Sequence, residues 1–227
     1  MERVTARPKG VLRDRHEAGV RLAERLLAYR GTDAVVFAIP RGGVPVAAEI
    51  ARRLGLGLDV ILVRKVGAPS DPEYGLGAVA EGGVRLIDRD RAGELGESES
   101  SLAPVIEREL AEIERRSRLF RAGRPAIDPR GRTVIVVDDG IATGGTVRAA
   151  LRSLRLRGAS RLVLALGVSP ASTARALAAE VDELVVVLTP EVFYAVGEWY
   201  RSFPQVEDAE VLEMLRAGSA GGSGGAT

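Results

Sequence analysis

The 227-residue chain contains no cysteine. Disulfides, thiolate metal sites and a cysteine nucleophile are thereby excluded. It has one histidine, His16. Neither a histidine metal cluster nor a Ser-His-Asp triad elsewhere in the chain can therefore form within one subunit. No apolar run approaches the roughly 18 residues that a membrane span needs. Charge of one sign is also missing: Lys and Arg number 32 against 31 Asp and Glu, a net charge of +1. A general polyanion binder needs a strong basic excess, so nucleic acid is not an expected partner. The first stretch, MERVTARPKGVLRDRHEAG, is charged and has no apolar core of signal-peptide type. These absences lead us to expect a soluble cytoplasmic protein. The length suits one compact domain over residues 1–217, with residues 218–227, nearly all Gly, Ser and Ala, as a flexible tail.

What is present concentrates in one stretch, Val134 to Thr146. The β-branched run Val134-Ile135-Val136-Val137 reads as a buried parallel strand. Asp138 and Asp139 follow at its carboxyl end, and a loop of Gly140, Ile141, Ala142, Thr143, Gly144, Gly145 and Thr146 feeds a helical pattern from Val147 to Leu156. Backbone N–H groups at such a helix start hold a phosphate, aided by the helix dipole. Thr143 and Thr146 add hydroxyl donors. The two acids would repel an anion unless they bind sugar hydroxyls or a divalent cation, so the stretch reads as a site for a ribose phosphate with Mg²⁺. Adjacent strand residues point to opposite sides, so Asp138 and Asp139 are not expected to do equal work.

The rest of the chain alternates. Helices are expected over residues 15–29, 44–54, 171–179 and 206–216, with a further helical stripe through Leu102, Ile106, Leu110, Ile113 and Phe120. Glu112–Arg116 and Glu114–Arg118 are expected as i,i+4 pairs on it. Strands are expected over residues 34–39, 58–63, 84–87, 161–166 and 184–188. This rhythm implies an α/β fold, a mainly parallel central sheet with helices on both faces, and ligands outside the carboxyl ends of the strands. One such end carries Arg41-Gly42-Gly43, where a glycine turn and a fixed charge can meet an anion. Another carries Arg64-Lys65 after Val63. Residues 66–81 are rich in Gly and Pro and read as a loop. Within it Gly75-x-Gly77-x-x-Ala80 imitates a dinucleotide fingerprint, but it has no strand before it and no clear helix after it and is rejected. Glu81 reads either as a ligand or as a turn acid.

The Val134–Thr146 stretch closely resembles the 5-phosphoribosyl-1-pyrophosphate (PRPP) signature of the type I phosphoribosyltransferases, a resemblance that extends from about Arg15 to Arg216. It implies that Asp138 and Asp139 face the ribose hydroxyls and that residues 140–146 wrap the 5′-phosphate. It makes the Arg41-Gly42-Gly43 turn a pyrophosphate loop, with a non-proline cis peptide expected near Arg41–Gly42. It makes Arg64 and Lys65 receivers of the leaving pyrophosphate, and residues 66–81 a mobile loop that closes over the site, part of a small hood and flexible-loop region. The implied activity is transfer of ribose-5-phosphate from PRPP to a nitrogenous acceptor, with Mg²⁺ held at Asp138 and Asp139 and a homodimer as the assembly. Five of the nine Phe, Trp and Tyr residues fall between Phe193 and Phe203. Phe193 and Tyr194, nearest the strand end, are the acceptor-stacking candidates; the cluster as a whole reads as core, hood or dimer contact. No general base for the acceptor stands out. A regulatory protein that senses PRPP on the same fold remains the alternative reading, with a PRPP-forming kinase behind it.

Overall fold

The computed structural model describes residues 10–219. Five strands form a wholly parallel sheet in the order β2 (Gly57–Val60), β1 (Val35–Ala38), β6 (Thr133–Gly140), β7 (Arg161–Val168), β8 (Glu183–Leu188). The interior strands are apolar at nearly every position because both faces are covered. Alternation divides their side chains: Ile135 and Val137 join the core under α1 (Arg15–Arg25), α2 (Gly43–Leu54) and α7 (Asp208–Ser219). Val134 and Val136 join the core under α5 (Gly145–Leu156) and α6 (Ala171–Ala178). The expected fold class is therefore the observed one.

A smaller antiparallel sheet, β3 (Val63–Gly67), β4 (Gly75–Ala80) and β5 (Val84–Ile87), corrects the reading of residues 58–83. The strand expected over 58–63 ends at Val60, and most of the expected closing loop of 66–81 is a hairpin with its turn at residues 68–74. Glycine misled the reading because here it serves close packing. A Cβ on Gly77 would lie 2.1 Å from the Leu86 carbonyl oxygen, so the strand tolerates no side chain there. The sequence reading also missed α3 (Arg89–Glu94). The long α4 (Glu99–Arg121) turns Glu109 inward and leaves the expected Leu110 half-buried. Its Glu112–Arg116 and Glu114–Arg118 pairs form as expected. Finally, α7 continues to Ser219, so Gly218 and Ser219 are helical rather than tail; residues 220–227 lie outside the described residues.

Strand order fixes where a ligand can sit. After β1 the chain moves through α2 to β2, and after β6 it moves through α5 to β7 on the opposite side. Between β1 and β6 the connections part, leaving a crevice at their carboxyl ends. The Arg41 turn and the Asp138–Thr146 loop flank it.

Candidate active site

The loop after β6 ends in Gly144, a left-handed residue with φ 79° that caps α5 without a side-chain hydrogen bond. Helix α2, starting at Gly43, also lacks a side-chain cap, whereas Asp14, Asp88 and Ser98 cap α1, α3 and α4. Helix α5 thus keeps its first amide groups for something else, whereas the Gly43 and Val44 amides of α2 already donate to the Ile39 and Arg41 carbonyls at 3.1 Å each. Ala142, Thr143, Gly145 and Thr146 are exposed, and a Cβ on Gly145 would meet nothing within 4 Å. The far side of the loop is anchored: Thr173 Oγ1 donates to the Ala142 carbonyl at 2.7 Å and Arg148 Nη1 to the Thr143 carbonyl at 3.0 Å.

The two acids part as strand alternation requires. Asp139 turns toward α1 and α2, where Arg15 Nε donates to its Oδ2 at 2.7 Å. Tyr200 Oη donates to the Asp139 backbone carbonyl. Gly42 is pressed against the same carboxylate; a Cβ there would lie 2.1 Å from Oδ2. Asp138 has no such cation beside it, and its Oδ1 accepts from the Asp139 amide at 2.8 Å. Burial, followed by the like charge of Asp139, pushes the Asp138 carboxyl well above the usual range, while the amide bond and Arg15 oppose the rise. Burial and the same two acids raise the Tyr200 hydroxyl too.

A cleft of about 510 Å³ opens here, lined by Arg15, Arg41, Gly42, Asp139, Val196 and the segment 203–206. Arg41 is balanced at 3.7 Å by Glu207 Oε2 and Asp208 Oδ1. The cis peptide lies at Pro40–Arg41, one bond before the expected position. Other expected residues stand elsewhere. Arg64 and Lys65 belong to β3 of the small sheet, not to a parallel-strand end: Arg64 Nε donates to Glu109 Oε2 at 2.8 Å, and Lys65 Nζ to the Glu73 carbonyl. Neither lines the cleft, and neither do Phe193 and Tyr194. Phe193 packs half-buried on the core, and Tyr194 is 81% exposed. The aromatic ring of the cleft is Phe203, with Arg15 Cζ 3.8 Å from its centroid and the Tyr200 ring 5.0 Å away. Trp199 is half-buried against the core, its Nε1 without a partner among the described residues. Glu81 is a structural acid, bound to Arg121.

A family model described as the phosphoribosyl transferase domain matches residues 14–198. The chain belongs to the phosphoribosyl transferase domain family. A provisionally named phosphoribosyl transferase of Mycobacterium tuberculosis is 43% identical over 202 residues, 89% of this chain and 46% of that protein, so the chain spans about half the length of the curated relatives it matches. The crystal structure of TT1426 from Thermus thermophilus is 40% identical, covering 92% of this chain and 99% of the other, with a TM-score of 0.79. Adenine phosphoribosyltransferase of Mycobacterium avium is 41% identical over 59 residues, 26% of this chain and 33% of that protein. The family domain therefore carries the β6–α5 loop, the Arg41 turn and most of the cleft. Its match stops at residue 198, before Phe203 and the rest of the 203–206 wall.

Two contributors escaped the sequence reading. Arg15 lies 124 residues from Asp139, and Phe203 lies beyond the stacking candidates. A signal for Arg15 existed: it shares the inward stripe of α1 with Ala18, Gly19 and Leu22, where a charge calls for a partner. Among the described residues no helix is long and apolar enough to cross a membrane.

Proposed function

We propose that the chain transfers ribose-5-phosphate from PRPP to a nitrogenous acceptor, a nucleobase, and releases pyrophosphate. The observation that carries this reading is convergence at the β1/β6 crevice of an acid pair, an uncapped helix start with an open Gly/Thr loop, and the Arg41 turn. In it, Asp138 and Asp139 hold the ribose hydroxyls. Residues Gly140, Ile141, Ala142, Thr143, Gly144, Gly145 and Thr146 hold the 5′-phosphate, and Arg41 with the Gly42-Gly43 turn holds the pyrophosphate. The C1–O bond breaks with both electrons leaving on the pyrophosphate. The acceptor nitrogen forms C1–N with its lone pair and gives up its proton to water. Positioning and charge neutralisation supply most of the rate. Arg64 and Lys65 would have to leave Glu109 and the Glu73 carbonyl to take part.

Among the described residues no group of three or more His, Asp or Glu side chains is placed to hold a metal ion. With Asp139 Oδ2 already engaged by Arg15, the pair fits a hydrated Mg²⁺ only together with substrate oxygens, which is how this ion usually binds. Bound so, Mg²⁺ would offset the charge of the pyrophosphate. A cytoplasmic location and a homodimeric assembly belong to the same reading.

The test is pyrophosphate release from PRPP over a panel of bases, beside calorimetry of PRPP with Mg²⁺. Asp138→Asn combined with Asp139→Asn should weaken PRPP binding by about 100-fold or more, because two charge-assisted hydrogen bonds worth about 1.5 kcal/mol or more each are lost. Unchanged affinity in that variant would sink the assignment. Tight PRPP binding with no release from any base would replace it by the regulatory reading.

A further inference from the structure

Arg15 belongs to no recognised motif, yet it joins the acid pair to the segment after β8. A guanidinium has five N–H donors and no acceptor. Nε is used on Asp139 Oδ2, and Nη1 donates to the Pro204 carbonyl at 2.7 Å. No described residue takes up Nη2. The side chain is only 10% exposed, and the buried side-chain atoms without a hydrogen-bond partner among the described residues are Trp199 Nε1 and Asp208 Oδ1. Arg15 Nη2 is not one of them, so this unused nitrogen keeps access to the cleft that the residue lines.

Its direction is fixed. Phe203 lies against the guanidinium and Tyr200 against Phe203, while the Tyr200 hydroxyl holds the same Asp139 from its backbone. The chain around them is zipped to the N-terminal segment by Leu12 N–H to the Trp199 carbonyl at 2.8 Å, Arg201 N–H to the Leu12 carbonyl at 2.8 Å and Ser202 N–H to the Arg13 carbonyl at 2.9 Å.

We propose that Arg15 is a specificity-determining residue that touches the acceptor, donating from Nη2 to a carbonyl oxygen on its ring, so that oxo-bearing bases are used in preference to their amino counterparts. This rests on the transferase reading above. A donor-only group facing an amino group would set N–H against N–H and leave both without partners. The charge of Arg15 is already met by Asp139, so what it offers the cleft is a directed hydrogen bond, which suits a neutral carbonyl better than a pyrophosphate. Of the surrounding wall, Val196, Phe203, Pro204 and Val206 are apolar and suit a flat ring, and Gln205 is its one polar side chain.

The experiment compares uracil with cytosine and hypoxanthine with adenine, pairs in which an oxo group is exchanged for an amino group. Wild-type kcat/KM should favour the oxo member by about 100-fold, the upper scale of the penalty for leaving a buried polar group without its partner. Arg15→Lys keeps a cation beside Asp139 but removes the directed second donor. Measured at saturating PRPP, it should lower kcat/KM for the oxo base by about tenfold or more and level the oxo/amino ratio, whatever it does to PRPP affinity through Asp139. If PRPP binds but no base turns over, the affinities of the four bases for the PRPP complex replace the rates. Equal use of both members, a preference for the amino member, or an oxo/amino ratio that Arg15→Lys leaves unchanged overturns the proposal. The wild-type preference decides even if the variant does not fold. Absence of PRPP binding in the wild type removes the transferase reading, and this inference with it.

Discussion

Arg121 and Arg15 are both almost excluded from water and both lie against carboxylates, but they differ in how many donors the protein itself consumes. Arg121 Nε reaches Asp59 Oδ1 at 3.0 Å, Nη1 reaches Glu81 Oε1 at 2.6 Å and Ser117 Oγ, and Nη2 reaches the Val60 carbonyl at 2.9 Å. Burial works against its charged form, yet Glu81 and Asp59 outweigh that and push the guanidinium further up. It fastens α4 to the end of β2 and to the residue after β4. Arg15 uses Nε and Nη1 in the same way and keeps Nη2 for the cleft. A saturated buried cation joins layers; one with a donor to spare at a crevice is equipped to bind.

The comparison breaks most readily at Arg121. Replacing it by methionine leaves Asp59 and Glu81 buried without their cation and should cost about 3–5 kcal/mol. At about 2–4 °C per kcal/mol for a chain of this size, thermal melting should fall by more than about 6 °C. A fall of a degree or two would mean the network joins nothing. On the Arg15 side the probe is Gly42→Ala. Its Cβ cannot coexist with Asp139 Oδ2 in the present geometry, so the carboxylate must shift against Arg15 at a cost of about 1–3 kcal/mol, and PRPP binding should weaken. Gly145→Ala, facing open space on the β6–α5 loop, should leave melting nearly unchanged. If both variants melted alike, the close fit around Asp139 would carry no energetic weight.

These two sides also differ in what the amino-acid sequence discloses. The β6–α5 stretch is legible because strand, acids, loop and helix are contiguous and each part has its own local chemistry. Period-two alternation even anticipates that Asp138 and Asp139 face apart. The clamp on Asp139 is not legible in that way. Arg15 and Tyr200 come from opposite ends of the chain, and their meeting is a product of sheet order. The β3–β4 hairpin was hidden for another reason: Gly67 and Gly77 look like loop residues, yet each sits where a neighbouring backbone approaches too closely for a side chain. Arg64 and Lys65 followed that error, since their assignment to a parallel-strand end depended on β2 running on through Val63. The inward turn of Glu109 had no signal beyond an acid beside an apolar stripe.

The smallest expected effect comes from inverting the Arg121 arrangement at the surface. Glu112 is one acid between two arginines, with Oε2 2.7 Å from Arg115 Nε and Oε1 2.7 Å from Arg116 Nε. Hydrogen bonds from Arg115 and Arg116 hold its carboxyl down to about 2, against an ordinary 4.5. A carboxylate depressed in the folded state stabilises fully above its unfolded value and loses that contribution as pH falls through the folded one. The advantage of wild type over Glu112→Gln should thus be steady near neutrality, shrink below about pH 4.5 and vanish near pH 2. Solvent and salt screen the group, so the difference should stay under about 1 kcal/mol and fade in molar salt. Melting of the two proteins across that pH range measures it. A gap that survives at pH 2, or one as large as the Arg121→Met loss, would show that burial is not what separates the two arrangements.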